Sequence, residues 1–318
     1  MSTPASQPIT SFRHEALLYS GDADFIAATI PFIRAGLDAG EAILVVERHE
    51  KADLLRSELG PDREFVHFAD MREVGANPAR IIPAWHDFVA RHGGLGRPVR
   101  GIGEPIWRGR GSAELTECQR HESLLNVAFA PGAGWWLLCP YDTVALDPLV
   151  IDEARRSHPF VWAGGVHVES EDYRGDGVSA AMFDAPLPER PRNHHELAFG
   201  PRGLGGLREF VAGHARLAGV AATRIGDVVQ AASEVAANSV RHGGGRGILR
   251  LWREPDAFVC EFSDSGHFDQ PLVDRQRPGG DPVAPRGLWL ANHLCDLVQI
   301  RTLPSGNVVR LHVQANAA

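Results

Sequence analysis

Glu234-Val-Ala-Ala-Asn238-Ser-Val-Arg-His242-Gly243 is the stretch that decides how this chain folds. It lies in an apolar pattern over about 223–241 that predicts a helix, stopped by Gly243-Gly244-Gly245. Glu234 and Asn238 stand four residues apart, so on a helix they share one face, one turn apart. Ala231, Ala232, Ser233, Ala236 and Ala237 around them are small and would let a ligand approach closely. An Asn amide oxygen is a hard ligand suited to Mg²⁺, and a nearby carboxylate can orient or deprotonate a hydroxyl. Taken alone, the same spacing also describes a solvated helix face.

Two further elements follow in order. The strand-like Phe258–Ser263 runs into Asp264-Ser265-Gly266. An Asp at a strand end can accept from an exocyclic amine, and Gly266 lets a base or phosphate come close to the backbone; an ordinary turn uses the same residues. Pro285-Arg286-Gly287-Leu288 then enters a helix, Gly287–Cys295, after a Gly/Pro-rich loop over 269–286. Helix N-terminal N–H groups attract phosphate, and Arg286 can add a charge-assisted bond; a plain loop-to-helix junction reads the same way.

As an ordered set, the three elements resemble the GHKL superfamily of ATPases, which includes histidine kinases, gyrase, a family of heat-shock chaperones and the anti-sigma-factor serine kinases. Glu234 to Gly243 resembles the N-box, Asp264-Ser-Gly266 the first Gly box and Arg286-Gly287-Leu288 the second. The run Arg286–Arg301 (RGLWLANHLCDLVQIR) is most similar to the anti-sigma serine/threonine kinases. The resemblance implies a Bergerat-type α+β two-layer sandwich over residues 191–318 with ATP and Mg²⁺ as cofactors. It implies Glu234 as general base, Asn238 as the holder of ATP-bound Mg²⁺, and Asp264 as the partner of the adenine amine. His242, Gly266, Arg286, Gly287 and Leu288 complete the nucleotide set. The implied partners are a sigma factor, an anti-anti-sigma (STAS-type) protein, or both. The chain departs from the family pattern at three places. Phe268 stands where the first box has its second Gly, Pro285 where the second box has its first, and Asn307 where a Thr is common. These departures motivate an alternative, a module that binds a sigma factor or other regulator without phosphorylating anything.

The rest of this half is consistent with that sandwich. A strand at Glu196–Phe199 precedes a helix over about Leu204–Ala218, and Gly247–Arg253 pairs with Phe258–Ser263 as a hairpin. Val298–Thr302 and Val308–Val313 make a second hairpin across Pro304–Asn307. His194-His195-Glu196-Leu197 looks faintly like a phosphoacceptor box, but Gly200-Pro201 ends any helix there.

Toward the N-terminus the texture is α/β. A polar arm, 1–11, precedes an apolar run at Ala16–Tyr19 and a helix over Asp22–Ala39. Strands at Ala42–Glu47, Glu64–Phe68, Val99–Ile102 and Trp135–Cys139 alternate with helices at Glu50–Leu59, Pro78–His92 and 112–130. Such alternation predicts a mostly parallel sheet with helices on both faces. There is no GxxxxGK[ST], so no working P-loop is expected. His14-Glu-Ala-Leu-Leu-Tyr19, Phe32 to Glu41, Gly103-Glu104-Pro105, Glu122 to Asn126 and Cys139-Pro-Tyr141-Asp142 together resemble the MEDS sensory domain, a RecA-like relative, over 12–165. That resemblance makes His14, Glu104, Glu122 and Tyr141 candidates for a pocket that takes a small-molecule signal. A metal site from His14 with Glu104 or Glu122 is a further reading, and plain core packing a third. Gly164-Gly165 and the Pro-rich 186–191 mark 166–190 as a linker.

Composition sets the bounds. With 318 residues, 44% hydrophobic and 23% charged, the chain can bury two ordinary cores. A net charge of −8 without a dense Lys/Arg run argues against nucleic acid as a direct partner. Cys118, Cys139, Cys260 and Cys295 form no CxxC pair, so reduced thiols in a cytoplasmic protein are expected. No apolar leader or 18-residue apolar stretch is present, so no membrane span is expected. The sequence leaves homodimerisation open.

Overall fold

The computed structural model describes residues 11–93, 97–129, 134–175, 185–277 and 286–316. The arm at 1–10 and Pro285 lie outside them. The chain divides into two compact units, Met1–Ser179 and Ala180–Ala318. No helix among the described residues is long and apolar enough to cross a membrane.

The first unit is a seven-stranded, mostly parallel sheet. Its elements are β1 (Phe12–Tyr19), α1 (Gly21–Asp38), β2 (Ala42–Glu47), α2 (His49–Leu59), β3 (Val66–Asp70), α3 (Met71–Val74), α4 (Ile81–Gly93), β4 (Val99–Gly103), α5 (Ser112–Ala128), β5 (Trp135–Asp142), α6 (Pro148–Ser157), β6 (Phe160–Ala163) and β7 (Val166–Glu169). The strands lie in the order β3-β2-β4-β5-β1-β6-β7. Every residue of β2 is buried, because helices cover both faces of a parallel sheet. Only β7 runs antiparallel, pairing with β6.

Three local expectations change. β3 begins two residues later than its apolar run, because 60–65 tighten into a 3₁₀ turn. The helix α6 is an element the periodicity did not reveal. Asp147 caps it, accepting from Leu149 N at 2.8 Å, and Pro148 occupies its first turn. The third change concerns Gly164-Gly165, which is not a linker mark. Both residues have positive φ, +57° and +81°, as the tight turn of a hairpin requires, and the next four residues form β7.

The second unit contains β8 (His195–Phe199), α7 (Leu204–Leu217), α8 (Ile225–His242), β9 (Gly247–Arg253), β10 (Ala257–Asp264), α9 (Gly287–Leu294), β11 (Leu297–Leu303) and β12 (Gly306–Gln314). Its sheet is wholly antiparallel, in the order β11-β12-β10-β9-β8. The helices pack on one face. Val228, Ala231, Ala232, Val235 and Ala236 of α8 and Leu207, Val211 and Ala215 of α7 meet Leu249, Leu251, Cys260, Phe262 and Leu311. The opposite face carries a buried ion network. Arg310 Nε donates to Glu261 Oε2 at 2.8 Å, and Arg310 Nη2 donates to the Pro188 carbonyl at 2.7 Å. Pro188, in the stretch read as linker, therefore packs on this sheet.

Candidate functional site

The predicted elements converge at the C-terminal end of α8. Gly243 ends the helix, donating its N–H to Ser239 O at 2.8 Å. The strand β10 ends beside it at Asp264. A Cβ on Gly243 would come 2.7 Å from both Cβ and Oδ1 of Asp264, so only glycine allows this approach. Ser265 N and Oγ both donate to Gly243 O, at 3.2 and 3.0 Å, and pin the two segments together.

Asp264 is half-buried and tightly held. Its Oδ2 accepts from Ser239 Oγ at 2.6 Å, while Oδ1 accepts from Gly266 N at 2.8 Å and from Asn307 Nδ2 at 3.4 Å. Asn307 is oriented in turn by Thr302 Oγ1, which donates to Asn307 Oδ1 at 3.0 Å. A carboxylate offers about four acceptor positions. Three are used by the protein, which leaves one for an incoming donor.

A cleft of about 290 Å³ opens over this acid. Asn238, Ser239, His242, Asp264 and Asn307 supply its polar lining, and Val235, Leu288, Val309 and Phe268 its apolar wall. Sites for small ligands combine an apolar wall with a few convergent polar groups in the same way. Of the residues read from the sequence, Asn238, His242, Asp264 and Leu288 line it directly. Gly266 packs under it, where a Cβ would come 2.9 Å from Asn307 Nδ2 and from His242 O. Ser239 and Asn307 were not read as site residues, although both hold Asp264.

Glu234 and Asn238 do share a face of α8, and both are half-buried. Glu234 Oε1 accepts from Gln230 Nε2 at 3.0 Å. The N-terminus of α9 lies against the pair. A Cβ on Gly287 would come 2.9 Å from Asn238 Nδ2 and 3.2 Å from Glu234 Oε2. Arg286, just before this contact, is exposed.

The comparisons with known families agree with this geometry. Residues 13–159 match the family model of the MEDS domain, described as the MEthanogen/methylotroph, DcmR Sensory domain. Residues 197–313 match the model of the histidine kinase-like ATPase domain. The chain carries both domains. No curated protein matches the chain. The ATPase domain implies ATP binding, usually with Mg²⁺, and the cleft fits the base of such a nucleotide. Its wall is apolar, Asp264 keeps one acceptor position, and glycines 243 and 266 leave the backbone bare around it.

In the MEDS domain, the four candidate pocket residues are all buried, at 1% exposure or less. They fall into two groups. Glu104 accepts from Tyr19 OH at 2.7 Å and from Lys51 Nζ at 2.7 and 2.5 Å, at the carboxyl ends of β1 and β4. Glu47 is buried close by, at the end of β2, beside the Glu104 carboxylate. Burial, and then the Glu104 charge, push the Glu47 carboxyl well above its ordinary value. His14 and Glu122 belong to the second group, with His14 Nε2 3.1 Å from Glu122 Oε2. Burial, and then the neighbouring His158, lower His14 to about 4. Tyr141 borders this group, its ring centroid 5.6 Å from that of His158.

Proposed function

We propose that the chain is a cytoplasmic switch. Its ATPase domain is read as a GHKL-type serine/threonine kinase that uses ATP and Mg²⁺ and acts on an anti-anti-sigma partner, sequesters a sigma factor, or does both. The MEDS domain, read as RecA-like, governs it in response to a small-molecule signal. The observation that carries the nucleotide part of this reading is Asp264, held by Ser239, Gly266 and Asn307 in the lining of the cleft. Bound nucleotide would supply the transferable phosphoryl group. Asp264 would take the adenine amine, and the Asn238 oxygen would hold Mg²⁺. Glu234 would accept the proton of a serine or threonine hydroxyl as that oxygen forms its bond to phosphorus and ADP leaves.

The experiment is phosphotransfer from radiolabelled ATP by the full chain to candidate anti-anti-sigma proteins. Glu234→Ala is expected to abolish transfer while nucleotide still binds, and Asn238→Ala to weaken Mg·ATP binding. Transfer surviving in Glu234→Ala removes the general-base role.

A second reading has its own support. Phe268 and Pro285 stand where the family pattern has glycine, which favours a module that holds a regulator without transferring phosphate. Failure of the full chain to bind ATP at millimolar concentration, with a regulator still captured, would select it.

A further inference from the structure

The inner side of β1 and β5, under α5 and α6, gathers four buried side chains that the nucleotide site does not use. His14 comes from β1, Glu122 from α5, Cys139 from β5, and His158 from the residue after α6. One donor atom from each lies within 4.8 Å of all the others. Glu122 Oε2 is 3.1 Å from His14 Nε2 and 3.3 Å from His158 Nε2, and Cys139 Sγ is 3.4 Å from His14 Nε2.

The outer hydrogen bonds fix which nitrogens carry protons. Asn126 Nδ2 donates to Ser157 O at 2.8 Å, which turns its Oδ1 toward His14 Nδ1 at 3.0 Å. His14 Nδ1 therefore donates, and the lone pair of the neutral ring sits on Nε2. His158 Nδ1 lies 2.8 Å from Ala154 O, a carbonyl that can only accept, so its lone pair is on Nε2 as well. Both lone pairs face the Glu122 carboxylate. Among the described residues Glu122 Oε1 has no hydrogen-bond partner, and His158 Nε2 faces the Glu122 carboxylate, although both residues are 0% exposed.

Electron-rich atoms pointed at one another in a buried space cost free energy unless a cation lies among them. A proton would bridge only one pair. A divalent metal would engage all four, and an outer acceptor on each Nδ1 is the usual support of a metal-ligating histidine. Tetrahedral zinc with bonds of about 2.0–2.3 Å sets its ligand atoms about 3.3–3.8 Å apart, close to the separations here. We propose that His14, Glu122, Cys139 and His158 form a closed structural site for a zinc-class divalent metal that ties β1, β5, α5 and the segment after α6 together. A closed four-ligand set with nitrogen and sulfur donors favours zinc over magnesium or calcium.

The test uses the full chain, stripped of metal with a chelator and titrated with Co²⁺. The expected result is saturation at one ion per chain, with intense tetrahedral visible bands and a thiolate charge-transfer band that Zn²⁺ then removes. Cys139→Ser should lose the charge-transfer band. A spectrum that stays that of aqueous Co²⁺, or a charge-transfer band that survives in Cys139→Ser, overturns the assignment. If Cys139→Ser fails to fold, X-ray absorption of the zinc-loaded wild-type chain decides. One sulfur at about 2.3 Å with nitrogen or oxygen at about 2.0–2.1 Å supports the site, and a shell without sulfur refutes it.

Discussion

Replacing Gly243 by alanine adds one methyl group at the point where the reading of the nucleotide cleft is most exposed to test. Gly243 has an ordinary negative φ of −100°, so alanine suffers no backbone strain there. On backbone grounds alone, the change would stabilise the fold by about 0.4–1 kcal/mol, because it restricts the unfolded chain. The methyl, however, would stand 2.7 Å from Asp264 Cβ and Oδ1, well inside normal contact distance. Overpacking of this kind costs about 1–3 kcal/mol, so set against that gain the clash should leave a net loss of up to about 2.6 kcal/mol. The relief available is to push Asp264 aside, since the Gly243 backbone is held by Ser239 O and by Ser265. A displaced carboxylate can no longer meet a ligand amine. A hydrogen bond to a charged group is worth about 1.5–3 kcal/mol, so nucleotide affinity should fall about ten- to a hundredfold. Titration of a fluorescent ATP analogue by anisotropy, beside thermal unfolding, measures both effects. Gly213→Ala is the control: it lies within α7 with nothing inside 4 Å of its new methyl, and should stabilise by about 0.5–1 kcal/mol. If Gly243→Ala unfolds no earlier than wild type and binds nucleotide equally well, the placement of Asp264 is wrong.

Two further outcomes are expected. Arg310→Met leaves Glu261 buried without its closest cation and should cost about 3–5 kcal/mol in urea unfolding; a loss under about 1 kcal/mol would contradict the ion network. The Glu47 carboxyl, raised above its ordinary 4.5, keeps its proton in the folded chain where the unfolded chain has lost it. The folded state then binds more protons from that pH upward, so stability should decline as pH rises through the window. Glu47→Gln should flatten this decline in a series of unfolding midpoints against pH, and an unchanged slope would assign the effect to another group.

What the sequence disclosed and what it hid divide along physical lines. The helix α8 was legible because its apolar spacing and its glycine stop are local signals. The order of Asp264 and Gly287 after it pointed to one site, and Asp264 does meet the end of α8. The partners of Asp264 were not legible. Ser239 reaches an acid 25 positions away, and Asn307 reaches it from 43 positions away, across a strand pairing that no periodicity announces. In the MEDS domain, His14 and Glu122 were chosen from a resemblance, yet it is Cys139 and His158 that join them, while Glu104 pairs with Tyr19 and Lys51 instead. Only the parallel pairing of β1 with β5 brings Cys139 alongside β1, opposite Ala16. The strands β6 and β7 were missed because each is four residues long and their glycine turn has the composition of a linker.

The strand β12 follows the other described strands of its sheet in the chain but is interior in that sheet, between β11 and β10. It carries Asn307 to Asp264, and the turn before it rests on the Asp264 backbone, where a Cβ on Gly306 would come 2.9 Å from the carbonyl carbon. The sheet therefore stays split, and the acid unsecured, until this strand inserts. During synthesis, a nascent chain would have made α8, β10 and α9 and still lack a working cleft.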